Sequence, residues 1–137
     1  MDEVIARNYR KLVEEGFKHA GNMESPSIFF DSKAEGVSVC GDGGKDYVNF
    51  YLRIEGDVIE DIKYLCSCDP AANVAVEAMC ELCKGKTLAH AKAVTKEDLY
   101  AAIGTGRGLI ARKVWGVLEL FNLVVKRHES AVPEPSA

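Results

Sequence analysis

Ile5, Tyr9, Leu12, Val13, Gly16 and Phe17 recur at helical spacing near the start of the chain, behind Asp2 and Glu3, where the positive end of a helix dipole favours carboxylates. This spacing predicts an amphipathic first helix ending near His19. Residues 21–33 mix Gly, Pro, Ser and Asn without a period and predict an irregular connection. A short strand is expected over 36–39. Residues 47–54 are β-branched and aromatic, with Val48, Phe50, Leu52 and Ile54 alternating onto one face, which predicts a strand with that face towards the core. Glu55-Gly56-Asp57 signals a tight turn, and strand-forming residues resume over 58–65, so the two runs are expected to pair as an antiparallel hairpin.

Pro70 suits the first turn of a helix, and 71–83 continues without a breaker until Gly85. Thr95 with Asp98 has the form of a capping box, with Asp in place of Glu, and predicts a short helix through Ile103. Gly104-Thr105-Gly106-Arg107-Gly108 then interrupts the chain. It lacks the Gly-Lys-Ser/Thr ending of a phosphate loop and follows no strand, so it reads as a connector. In the last helix Ile110, Val114, Val117, Leu118, Phe121, Val124 and Val125 form a broad apolar face, and Trp115 is expected in the core with them. The fold class is therefore α+β, a small antiparallel three-stranded sheet packed with helices in the order α-β-β-β-α-α-α. One domain over 1–126 is expected, with a disordered tail over 127–137.

A 47% hydrophobic and 28% charged composition fits one soluble globular domain. The net charge of −4, with no basic run longer than Arg10-Lys11 or Lys126-Arg127-His128, argues against nucleic acid as a partner. The apolar runs fall short of the roughly 20 residues a membrane helix needs, so no membrane span and a cytoplasmic location are expected. Five cysteines change the picture. The odd count and the charged, polar start of the chain favour reduced thiols over a disulfide framework, and thiolates with carboxylates are ligands for soft metals and iron-sulfur clusters.

Cys40-Gly41-Asp42 offers a thiolate and a carboxylate close enough to share one ion; the bland alternative is a loop cysteine beside a solvated Asp. Cys66 and Cys68, two apart at a strand end, would face the same side if the chain stays extended. Cys80 and Cys83 sit late in a helix rather than at its start, where the dipole would activate a thiol, and read as small core hydrophobes. Cys80 is also twelve residues beyond Cys68, about 18 Å along a helix. His19, His90 and His128 are isolated and read as surface or capping residues.

Cys40-Gly41-Asp42 ahead of the hairpin, Tyr51-Leu52-Arg53-Ile54-Glu55, Val58-Ile59-Glu60-Asp61-Ile62-Lys63-Tyr64 and Lys84-Gly85-Lys86-Thr87-Leu88 resemble the NifU/IscU-type iron-sulfur cluster scaffold family, from about Val4 to Val125. In that family the first cysteine and an Asp lie in a Cys-Gly-Asp loop. The second cysteine precedes the long helix, and the third follows a His before the last helix. This chain departs at each place. Without gaps, the second cysteine's place falls on Asp69, with Cys68 one residue early; the loop's place falls on Gly44-Lys45-Asp46, four residues after the literal motif; the third falls near Ala111, with Ile110 for the His.

The resemblance implies a carrier rather than a turnover enzyme, receiving iron and sulfide through Cys40, Asp42, Cys66 and Cys68, with Asp69 as a further metal ligand. It implies an iron-sulfur cluster or iron as the bound group, and a cysteine desulfurase, acceptor apoproteins and a chaperone as partners. The chaperone's segment borders the missing third cysteine. Two alternatives stay open: a scaffold-fold interaction module without a cluster, and a zinc-binding form, since tetrahedral zinc takes the same Cys and Asp ligands.

Overall fold

The computed structural model describes residues 3–32, 47–67 and 69–131. The first helix, α1 (Glu3–Glu14), buries Ile5 and stops earlier than expected. Gly16 takes a left-handed φ of +73°, and the Phe17 N–H reaches back to the Leu12 carbonyl at 2.8 Å, which closes the helix in a left-handed C-terminal turn.

Three strands follow: β1 (Ile28–Asp31), β2 (Val48–Glu55) and β3 (Val58–Cys66), in the order β1-β2-β3 and antiparallel throughout. β1 lies inside the segment expected to be irregular. The strand expected over 36–39 lies outside the described residues. The hairpin turns at Gly56, whose φ of +62° a side chain would strain. Val48, Phe50 and Leu52 are buried as the alternation requires, and Phe50 pairs with Tyr64 and Leu52 with Ile62. A register shift between Arg53 and Ile54 breaks the period, leaving Ile54 only partly buried and setting it beside Ile59.

α2 (Pro70–Cys83), α3 (Leu88–Ala93), α4 (Lys96–Ile103) and α5 (Leu109–Ala131) complete the chain. The expected order holds, with α3 as one further short helix, capped by Thr87. Thr95 and Asp98 form the capping box at 2.9 and 3.2 Å, and Asp98 is held below the ordinary carboxylate range by those bonds. Gly104, with a φ of +99°, ends α4. In the connector, a side chain on Gly106 would meet the Tyr100 ring at 2.7 Å, so the backbone itself covers that ring.

The inner face of the sheet packs on α2 and α5. Phe50 meets Phe121 edge to face at 5.5 Å, and Val114, Val117, Val124 and Val125 of α5 are buried with Val76 and Met79 of α2. Trp115 departs from expectation: it is 68% exposed, because it is rotated off the face that carries Val114 and Val117. α5 also runs to Ala131, beyond the domain end expected at residue 126. Among the described residues no helix is long and apolar enough to cross a membrane.

Candidate functional site

The described members of the expected site, Cys66 and Asp69, lie at the end of the hairpin remote from Gly56. There Cys66 pairs with Val48, the Ser67 N–H donates to the Tyr47 carbonyl at 3.0 Å, and the Tyr47 N–H donates to Ser67 Oγ at 3.0 Å. Ser32 closes the same corner: its N–H donates to the Val48 carbonyl at 3.1 Å, and its buried Oγ accepts the Val48 N–H at 2.8 Å. Ser32 and Tyr47 flank residues 33–46, so both roots of the segment carrying Cys40 and Asp42 are tied beside Cys66. Cys40, Asp42, Gly44, Asp46 and Cys68 themselves lie outside the described residues.

Cys66 is half-buried, and its Sγ–H donates to Asn73 Oδ1 at 3.5 Å. The Tyr64 hydroxyl lies 3.3 Å from the same oxygen and 3.0 Å from Glu77 Oε1. Glu77 is buried and also accepts the His19 N–H at 3.4 Å. Burial, and then the charge of Glu77, raise the tyrosine hydroxyl far above its ordinary range. The thiol at the strand end is thus the outermost group of a buried polar chain built on one face of α2.

Asp69 begins α2. Its Oδ1 accepts the Ala72 N–H at 2.8 Å as the N-cap, and Pro70 follows in the first turn. Its Oδ2 lies 3.1 Å from Lys113 Nζ. The lysine side chain is only 5% exposed and the aspartate side chain 42% exposed, so a buried cation on α5 is matched by a carboxylate that still reaches solvent. The third expected place, Ala111, is in the first turn of α5, and Ile110 before it is buried. Neither can ligate a metal. Among the described residues no group of three or more His, Cys, Asp or Glu is placed to hold a metal ion.

The other thiols lie at the far end of α2. Cys80 and Cys83 are fully buried. Burial pushes Cys83 up to about 12 and Cys80 well above its ordinary value. His19 is not a surface residue: it is 4% exposed, and its Nε2 lies 2.7 Å from Glu81 Oε2. Glu81 also pairs with Lys18 at 2.9 Å, and the hydrogen bonds from His19 and then Lys18 hold its carboxyl below the ordinary value. His90 is exposed on α3 and His128 partly exposed on α5.

Two groups at the site went unnoticed in the sequence. Lys113 follows Ile110 by three residues and precedes Val117 by four, which places it on the buried face of α5; a lone Lys in an apolar stripe was the available signal. Asn73 and Glu77 are likewise four apart on α2. A polar pair on a helix that otherwise reads as core was the sign of an internal hydrogen-bond chain.

A three-stranded meander backed by helices, with a thiol and a capping carboxylate where the hairpin meets α2, defines the class: a small α+β domain with its candidate site at the strand-to-helix junction. The profile of the NifU-like N terminal domain matches residues 8–124, and the chain belongs to that family. No curated protein matches the sequence. Among solved structures, one similar fold is a protein of Fervidobacterium islandicum AW-1 assigned as an iron-sulfur cluster assembly scaffold of the SUF system. It is 15% identical, with a TM-score of 0.65 over 91% of this chain and 96% of that one. Another is the N-terminal part of a nitrogen-fixing NifU-like protein of Brucella abortus, 13% identical, with a TM-score of 0.66 over 96% of this chain and 95% of that one. At these identities the likeness is one of fold.

Proposed function

We propose that this protein is an iron-sulfur cluster assembly scaffold whose cargo, iron and sulfide, is received where the hairpin meets α2. In this reading Cys40, Cys66 and Cys68 act as thiolate ligands or sulfur acceptors, and Asp42 and Asp69 add oxygen ligands that hold iron less tightly than sulfur does. The observation that supports it most is the pinning of Ser32 and Tyr47 beside Cys66. The stretches bearing all five expected donors start or end at this one corner. A cysteine desulfurase as sulfur donor and acceptor apoproteins as recipients are the partners that go with this role. The chaperone's segment borders the missing third cysteine, which counts against that partner.

Anaerobic reconstitution with iron and sulfide tests the reading. Visible charge-transfer absorbance is expected in the wild type and is expected to fall in Cys40→Ala and Cys68→Ala. A colourless wild type would sink it, and metal analysis of the protein as purified separates zinc from iron. A second reading, an interaction module of scaffold fold without cargo, is favoured by one observation: Asp69 already has both oxygens engaged, by the Ala72 N–H and by Lys113.

A further inference from the structure

Helices α1, α2 and α4 meet around a cleft of about 130 Å³. Its apolar wall includes Leu12 of α1, Val74 and Ala78 of α2 and Ile103 of α4, and its charged groups are Glu15, Glu77 and Glu81 with Lys11 and Lys18. Most of these charges are committed to one another. Lys18 lies 2.9 Å from one oxygen of Glu81 and 3.9 Å from Glu15, and His19 holds the other Glu81 oxygen at 2.7 Å. Two opposite charges are left over. Glu77 is only 3% exposed, and the hydrogen bonds that reach its side chain, from the Tyr64 hydroxyl at 3.0 Å and the His19 N–H at 3.4 Å, both go to Oε1. Among the described residues Oε2 accepts none, and it is not one of the polar atoms sealed from solvent, so this oxygen opens onto the cleft. Lys11, exposed at the mouth, has no ion pair among the described residues.

A carboxylate withdrawn from water without a counter-charge is costly, so a cation brought to Oε2 gains more than it would at a surface carboxylate. A metal ion does not suit the place, because among the described residues no three ligating side chains stand together. An ammonium group does, since it donates to one acceptor at a time and needs no ligand cage. Lys11 at the mouth calls for an anion on the same ligand. We propose that this cleft binds a small α-amino acid as its zwitterion, with the ammonium on Glu77 Oε2, the carboxylate on Lys11 and the side chain against Leu12, Val74 and Ile103. A cavity of about 150 Å³ takes a benzene molecule, so the room suits a short aliphatic side chain. The site stands apart from the cargo reading, because neither Glu77 nor Lys11 belongs to the donor set proposed above.

Titration of the isotope-labelled wild type with L-valine, followed by amide NMR shifts, tests the site. Saturable shifts at Leu12, Glu77 and Ala78 are expected, with a dissociation constant of about 1 mM. Isovalerate, which lacks the ammonium, is expected to bind roughly tenfold more weakly, and isobutylamine, which lacks the carboxylate, about fivefold more weakly. Lys11→Met changes an exposed side chain and is expected to weaken L-valine about fivefold while leaving isobutylamine unchanged. Glu77→Gln is expected to weaken both roughly tenfold, and the ligand series on the wild type decides the matter whether or not that variant folds. No saturable shifts in the cleft, isovalerate bound as tightly as L-valine, or an unchanged L-valine affinity in Lys11→Met would each overturn the proposal.

Discussion

The end of β3, just before α2, and the far end of α2 carry the same chemical group in opposite surroundings. At the end of α2, Cys80 and Cys83 are sealed in the core, and burial keeps their thiols protonated. At the end of β3, ahead of α2, Cys66 lies half-buried in a polar corner with Asn73, Ser67 and the Asp69–Lys113 pair close by in the chain or the fold. The residue type is common to both ends; access to water and to counter-charges is not. A cysteine count therefore says little about chemistry until the burial of each thiol is known.

Thiol alkylation probes this contrast most strongly. Cys66 should react with iodoacetamide at pH 8 by at least about a thousandfold faster than Cys80 or Cys83, which become available only through opening of the core. Peptide mass spectrometry over time reads the ratio, and comparable rates would erase the distinction.

Alkaline unfolding comes next. The buried thiols keep their protons in the folded state above 9.0, where the unfolded chain gives them up, so the native state binds more protons and stability falls as pH rises. For Cys83 the fall runs from about 9 to about 12, at roughly 1.4 kcal/mol per pH unit, and Tyr64 acts in the same direction. Urea titrations at pH 8, 9 and 10 check it, and a flat profile would contradict the burial.

Asp69→Ala takes a carboxylate partner from buried Lys113 and removes the cap of α2, at an expected cost of about 3 kcal/mol. Asp69→Asn keeps a capping oxygen and should recover about 1 kcal/mol of that loss. Chemical denaturation of both variants separates the cap from the charge. The smallest effect contrasts the thiols again. Cys80→Ser places a hydroxyl in the fully buried interior and should cost about 2 kcal/mol. Cys66→Ser keeps a donor for Asn73 and should stay within about 0.5 kcal/mol. Equal losses would mean that the two ends differ less than the structure shows.

What could be read from the sequence follows the strength of local signals. Pro70, the Thr95–Asp98 box and the alternation of Val48, Phe50 and Leu52 are encoded by neighbours in the chain, and the structure reproduces them. β1 was hidden because four residues between Pro, Ser and Lys have too little length for a period, and its pairing with β2 is a long-range choice. Trp115 was misplaced because a broad apolar stripe blurs the edge of the buried face. At the site, Asp69 was noticed for its position relative to the family motif. Its partner Lys113 lies far along the chain, and only folding brings the two charges to 3.1 Å.

The corner where Ser32, Tyr47 and Ser67 are stitched together gives residues 33–46 the character of a replaceable cassette. Both anchor points adjoin the sheet ladder, Ser32 just after β1 and Tyr47 just before β2, so a longer or shorter insert changes the span between two tied posts without shifting Phe50 or Tyr64. Such an architecture lets evolution, or a protein engineer, exchange the donor set of one segment while the rest of the domain keeps its register. A graft carrying Cys-Gly-Asp directly ahead of β2 is the natural first exchange to attempt.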